Sequence, residues 1–193
     1  MKKIVLSLIL FFLTNVIVGQ DLKSLEDETT KMYNSTSKMN FEEILDFSYP
    51  KLFDIVSREQ MKQMLEATFS NEQFDISFLP IAPNFDYAPI KKIDNKSLCI
   101  IKYNIGMSMH FNEPIEDETV EIMINTLKAQ GESYSDVKFN KEKNTFIIKG
   151  ISTMIAIADD ITENKWKFIT YDKNKRQIAE MLLSDSILNK LGL

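Results

Sequence analysis

The sequence predicts an α+β fold in which N-terminal helices pack on a curved, mainly antiparallel sheet and a helix closes the C-terminus. Three observations predict it. Apolar residues recur at helical spacing through the first third of the chain, and a period of two takes over at Phe74. Two long alternating runs then follow, each with an internal glycine, Gly106 and Gly150, where a strand can bulge or bend.

The first residues read as a leader. Lys2 and Lys3 precede an apolar run from Ile4 to Leu13, which resumes from Val16 to Val18 and meets small Gly19 before polar Gln20-Asp21. That is the order of a secretory signal peptide, so residues 1–19 are assigned to a signal and 20–193 to a single α+β domain starting at Gln20. A membrane anchor needs about 20 apolar residues, more than this run holds. The chain is therefore expected to be exported, periplasmic or secreted, without stable membrane insertion after cleavage. Loss of Lys2 and Lys3 lowers the basic count from 23 to 21 against 28 acidic residues, a net charge of −7. Such a balance, with no basic run, disfavours nucleic acid and anionic lipid as partners. Cys99 is the only cysteine, so no internal disulfide can form. With 5 Gly and 5 Pro and no repeated tract, linkers and arrays are disfavoured.

Leu22, Leu25, Met32, Tyr33 and Thr36 form one stripe of a helix over 21–38. Asn40 with Glu43, and Ser57 with Gln60, are capping-box pairs that start two more helices. The first should end or kink at Tyr49-Pro50 and the second should run to about Phe69, burying Met61, Met64, Leu65 and Thr68. Phe74, Ile76 and Phe78 alternate as a half-buried strand, and three prolines between 80 and 89 mark a loop. After a turn at Asp94-Asn95, a long strand sets Cys99, Ile101, Tyr103, Ile105, Met107, Met109 and Phe111 on one face, with Lys102, Asn104, Ser108 and His110 on the other. Acidic Glu116 to Glu118 suit a helix start, Val120, Met123, Ile124 and Leu127 its buried stripe, and Gly131 its stop. Strands follow over about 134–139, 145–158 and 165–171. Ile178, Met181, Leu182, Ile187, Leu188 and Leu191 then form a closing helix or helix pair.

In this order of elements, and in the two long strands holding Gly106 and Gly150, the chain resembles the NTF2-like, or cystatin-like, α+β cone. The resemblance covers most of the chain after the leader and implies a concave trough that helices fill. It departs from the family pattern in ending on helix instead of a sheet strand. The Q-x-V-x-G loop of cystatin protease inhibitors is absent, so inhibition of proteases is not implied.

No catalytic residue can be assigned. His110 is the only histidine, and with Cys99 as sole thiol it cannot complete a zinc set; no metal and no cofactor are expected. Cys99 and His110 differ in parity and stand about 35 Å apart along a strand, which opposes a Cys–His pair. The acidic loops at Asp159 to Asn164 and at Asp172, Asn174 and Arg176 lack a full calcium-loop pattern and read as solvated turns. Tyr103, Met107, Met109, Trp166 and Phe168 are the candidates for a ligand trough, or else ordinary core. The expected function is a non-catalytic exported domain binding a small apolar ligand or an envelope protein. The alternative is a cofactor-free isomerase or hydrolase of NTF2-like type built on carboxylate and Tyr, as the resemblance implies. An open cavity with a carboxylate near Tyr103 would separate the two.

Overall fold

The computed structural model describes residues 17–193. The leader assigned to residues 1–19 therefore lies almost wholly outside the described residues. Helix α1 (Ile17–Ser37) begins within that leader and runs past Gly19 and Gln20. Among the described residues no helix is long and apolar enough to cross a membrane.

The fold is α+β, with helices at both ends of a seven-stranded antiparallel sheet. Helix α2 (Phe41–Phe47) starts where the Asn40 side chain accepts from the Glu43 N–H, and it ends before Tyr49-Pro50. Helix α3 (Arg58–Phe69) starts on the full Ser57–Gln60 capping box. The strands are β1 (Phe74–Phe78), β2 (Asp86–Tyr87), β3 (Lys91–Ile93) and β4 (Lys96–Phe111); then, after helix α4 (Asp117–Lys128), β5 (Asp136–Asn140), β6 (Thr145–Ala158) and β7 (Lys167–Tyr171). Helices α5 (Arg176–Leu182) and α6 (Asp185–Leu191) close the chain.

Two long strands carry the sheet. β4 and β6 pair without interruption from Ser97↔Ala158 to His110↔Thr145. The short strands line their outer edges: β3, β2 and β1 along β4, and β7 and β5 along β6. Asp94 and Asn95 both hold positive φ, 50° and 61°, as the tight β3–β4 hairpin turn requires.

Alternation on the long strands divides the core. Odd residues of β4 and even residues of β6 face the N-terminal helices. Leu25 and Met32 of α1 pack there on Cys99, Ile101, Tyr103, Met154, Trp166 and Phe168. Toward the other end of the same face, α4 places Val120 on Phe146, Ile148 and Val137. On the opposite face α5 and α6 cover only one end, burying Leu98, Ile155, Ile157 and Ile169 beneath Leu182, Leu188 and Leu191.

Several local expectations are corrected. No bulge interrupts β4 at Gly106; the ladder passes through Gly106↔Lys149 and Ile105↔Gly150 in constant register. The 80–89 loop contains β2, which lies along β4. Residues 131–134 form a 3₁₀ turn, so β5 starts only at Asp136. Helix α3 is peripheral: Met64 is exposed and so is Thr68, and the inward stripe is Met61, Leu65 and Phe69. In α5, Ile178 and Met181 are exposed, while Ala179 and Leu182 are buried. Leu22 of α1 is exposed as well.

Candidate functional site

The five sequence candidates fall into two groups. Tyr103, Trp166 and Phe168 belong to the buried cluster under α1. Met107 and Met109 are half-buried against the cluster under α4. Around Tyr103 the trough is filled: Tyr33 and Phe85 stand 6.0 and 5.9 Å from its ring, the first edge-on. Burial pushes the Tyr103 phenol up, a hydrogen bond with Ser152 opposing it and the nearby Tyr33 adding to the rise. Ser152 is also the cross-strand partner of Tyr103, and its other surroundings belong to the cleft that the sequence did not reveal.

That cleft opens on the outer edge of β6, between the start of β5 and the end of β7. Its cause is local. The 3₁₀ turn Gly131–Tyr134 folds onto β6 so tightly that a Cβ on Gly150 would stand 2.1 Å from the Ser133 carbonyl oxygen. Gly131 opens this turn at φ +77°, a conformation that favours glycine. β5 can therefore pair with β6 only from Asp136↔Lys149 onward, and β7 ends at Tyr171↔Thr153. The space between measures about 480 Å³. Ile105, Met107, Leu127, Tyr134 and Ile178 give it apolar walls, and Ser152, Thr153, Thr170 and Asp172 a polar rim. Of the five candidates, Met107 lines this cleft. Asp172 is committed elsewhere, since its side chain accepts from the Asn174 N–H at 2.8 Å and starts the 3₁₀ turn Lys173–Lys175.

A second polar cluster lies at the covered end of the sheet. Asp159, expected in a solvated turn, is 2% exposed. Its side chain accepts from the Thr162 N–H at 3.1 Å, from the Tyr49 hydroxyl at 2.8 Å and from the Lys96 ammonium. Burial alone would raise the Asp159 carboxyl; the hydrogen bonds from Lys96, Tyr49 and Thr162 outweigh it and hold the group below its ordinary range. Tyr49 is pushed the other way, by burial first and then by its bond to Asp159. One signal for it is local: Asp159 stands three residues before Thr162, the spacing of the capping box seen here. Tyr49 and Asp159 do not line the β5–β7 cleft.

Cys99 is fully buried, its thiol donating to the Ala88 carbonyl at 3.1 Å and pushed up to about 11 by burial. His110 is exposed at the far end of β4, with Nδ1 3.0 Å from the Lys143 carbonyl oxygen. The two are not brought together. Comparison of the chain with known protein families and with curated proteins finds no match.

Proposed function

We propose that the protein is an exported, non-catalytic binding domain of the cell envelope, and that the β5–β7 cleft receives its small apolar ligand or a side chain of its partner. The cleft itself carries this reading: about 480 Å³ of space with apolar walls and a polar rim on a rigid sheet. Export is supported by Lys2, Lys3, the apolar run and Gly19. The relation to the NTF2-like cone is supported by the curved sheet, the two long strands and the helices on one face. The C-terminal helices on the other face are this chain's own addition. The isomerase or hydrolase alternative asks for carboxylate and phenol in an open cavity. Tyr49 and Asp159 form such a pair, but in the covered core, and we assign them to stability.

The test is binding of the apolar fluorophore 1-anilinonaphthalene-8-sulfonate to the folded mature chain. Saturable binding is expected, with at least a fivefold loss in Thr153→Trp, where the indole fills the cleft and the melt stays unchanged. Equal binding to wild type and Thr153→Trp would remove the cleft from the proposal.

A further inference from the structure

The cleft also contains an unpaired rung of the sheet. The Asn104 N–H donates to the Pro83 carbonyl at 2.6 Å, away from β6. The Phe111 N–H, seven residues on, donates to Asn144 at 3.0 Å and fixes the same phase. Paired residues of an antiparallel ladder alternate between exchanging both hydrogen bonds and exchanging none. Asn104↔Ile151 is therefore a pair of the second kind, and the N–H and C=O of Ile151 point to the outer edge of β6.

On that edge the rungs on both sides are filled. Lys149, two residues before, meets Asp136 of β5, and Thr153, two residues after, meets Tyr171 of β7. Continuing either register would bring Tyr134 or Lys173 opposite Ile151. Both have left the sheet: Tyr134 ends the 3₁₀ turn Gly131–Tyr134, and Lys173 opens the turn Lys173–Lys175. Among the described residues, neither β5 nor β7 has a residue paired with Ile151, and no loop hydrogen bond reaches its backbone. Its donor and acceptor face the cleft, whose walls are Ile105, Met107 and Leu127.

We infer that the gap at Ile151 binds one residue of a short peptide, which supplies the missing rung through its own N–H and C=O and lays an apolar side chain into the cleft. The inference rests on the reading of the cleft as a ligand site and names the chemistry it selects. A backbone donor and acceptor spaced as on a strand match a peptide residue in extended form, and an apolar wall alone does not impose that demand. The occupied rungs at Lys149 and Thr153 leave no length for a continuous added strand. The bound residue therefore belongs to a chain end or a turn.

The probe is N-acetyl-leucine methylamide, titrated into the isotope-labelled mature chain. Saturable shifts are expected at the Ile151 amide, together with slowed exchange of an N–H that exchanges freely in the unliganded protein. The analogue methylated on the leucine nitrogen lacks the donor and should bind roughly five- to tenfold more weakly, the loss expected for one hydrogen bond. Equal affinity of the two compounds, or an Ile151 amide already protected without ligand, overturns the inference. If the fluorophore of the cleft test binds and the blocked leucine does not, the peptide inference fails alone. Failure of both probes overturns the cleft reading with it.

Discussion

The two ends of the β4–β6 ladder are made from the same two strands and differ in what covers them. At the end near Leu98 and Ile157, α1 lies on one face and α5 with α6 on the other, and residues 154–158 are buried one after another. At the end near His110 and Thr145, α4 covers one face alone. Burial there alternates, with Phe146 and Ile148 inside, Ile147 half-buried and Lys149 exposed. A strand covered on both faces has no water for its polar groups, so Asp159, the one buried carboxylate among the described residues, accepts from three groups. Where one face is bare, an unpaired rung such as Ile151 can be solvated at little cost, and a cleft survives.

Breaking the closed end should have the largest effect. Asp159→Ala leaves the Lys96 ammonium and the Tyr49 hydroxyl without their acceptor, and should cost about 3 kcal/mol in denaturant unfolding. The pH dependence has a defined sign. The Asp159 carboxyl is lowered on folding, so its contribution is present above the unfolded value of about 3.9 and is lost as pH falls through the folded value. Tyr49 is raised, so its contribution is present below about pH 10 and is lost as pH rises beyond. Asp159→Ala should flatten the acid limb of the stability profile. An unchanged acid limb would show that other carboxylates set it.

The second break lies between the two ends. Gly106 and Gly150 sit almost opposite each other on the ladder, and a strand bend was expected to explain both. Their surroundings differ. A Cβ at Gly150 meets the backbone oxygen of Ser133 at 2.1 Å, whereas one at Gly106 meets the tip of the Ile81 side chain at 3.0 Å. Backbone has to move in the first case; in the second the Ile81 methyl and the Leu79 side chain have to give slightly. Gly150→Val should therefore cost about 2–3 kcal/mol and Gly106→Val about 1 kcal/mol, by thermal melts. Equal costs would mean that bending, and not close approach, accounts for both glycines.

That glycine pair also shows what was legible in the sequence. Strand limits at Phe74–Phe78 and Thr145–Ala158, and the helix starts at Asn40 and Ser57, follow from periodicity and capping chemistry, which are local. The position of Gly150 inside a long strand was visible as well, but the turn pressed against it is a tertiary contact. The cleft exists because two flanking strands leave the sheet at the same rung, and pairing of distant segments is not written in the pattern of either. Asp159 was misread for a related reason. An acidic loop residue is ordinarily solvated, and only the arrival of Tyr49 and Lys96 from elsewhere in the chain makes this one interior. Met64, Ile178 and Met181 err in the opposite direction, since each sits at helical spacing beside a buried stripe yet faces solvent.

The smallest effect locates the border between the two ends. On the face of β4 that α5 and α6 cover, Leu98 is 0% exposed, Ile100 is half-buried against the same cluster, and Lys102 is exposed. Cover therefore stops within two residues. Lys102 pairs with Thr153 and Asp86, takes part in no ion pair among the described residues, and points away from the α1 core. Valine suits a strand, so Lys102→Val should change the melting free energy by no more than about 0.5 kcal/mol. Leu98→Ala, four residues earlier on the same face, should cost about 2–5 kcal/mol. A gain of more than about 1 kcal/mol for Lys102→Val would mean that an apolar cover extends over this position in solution, and the border would then move toward Asn104. A loss of that size would give the Lys102 ammonium a partner on the bare face and so a polar function to that surface.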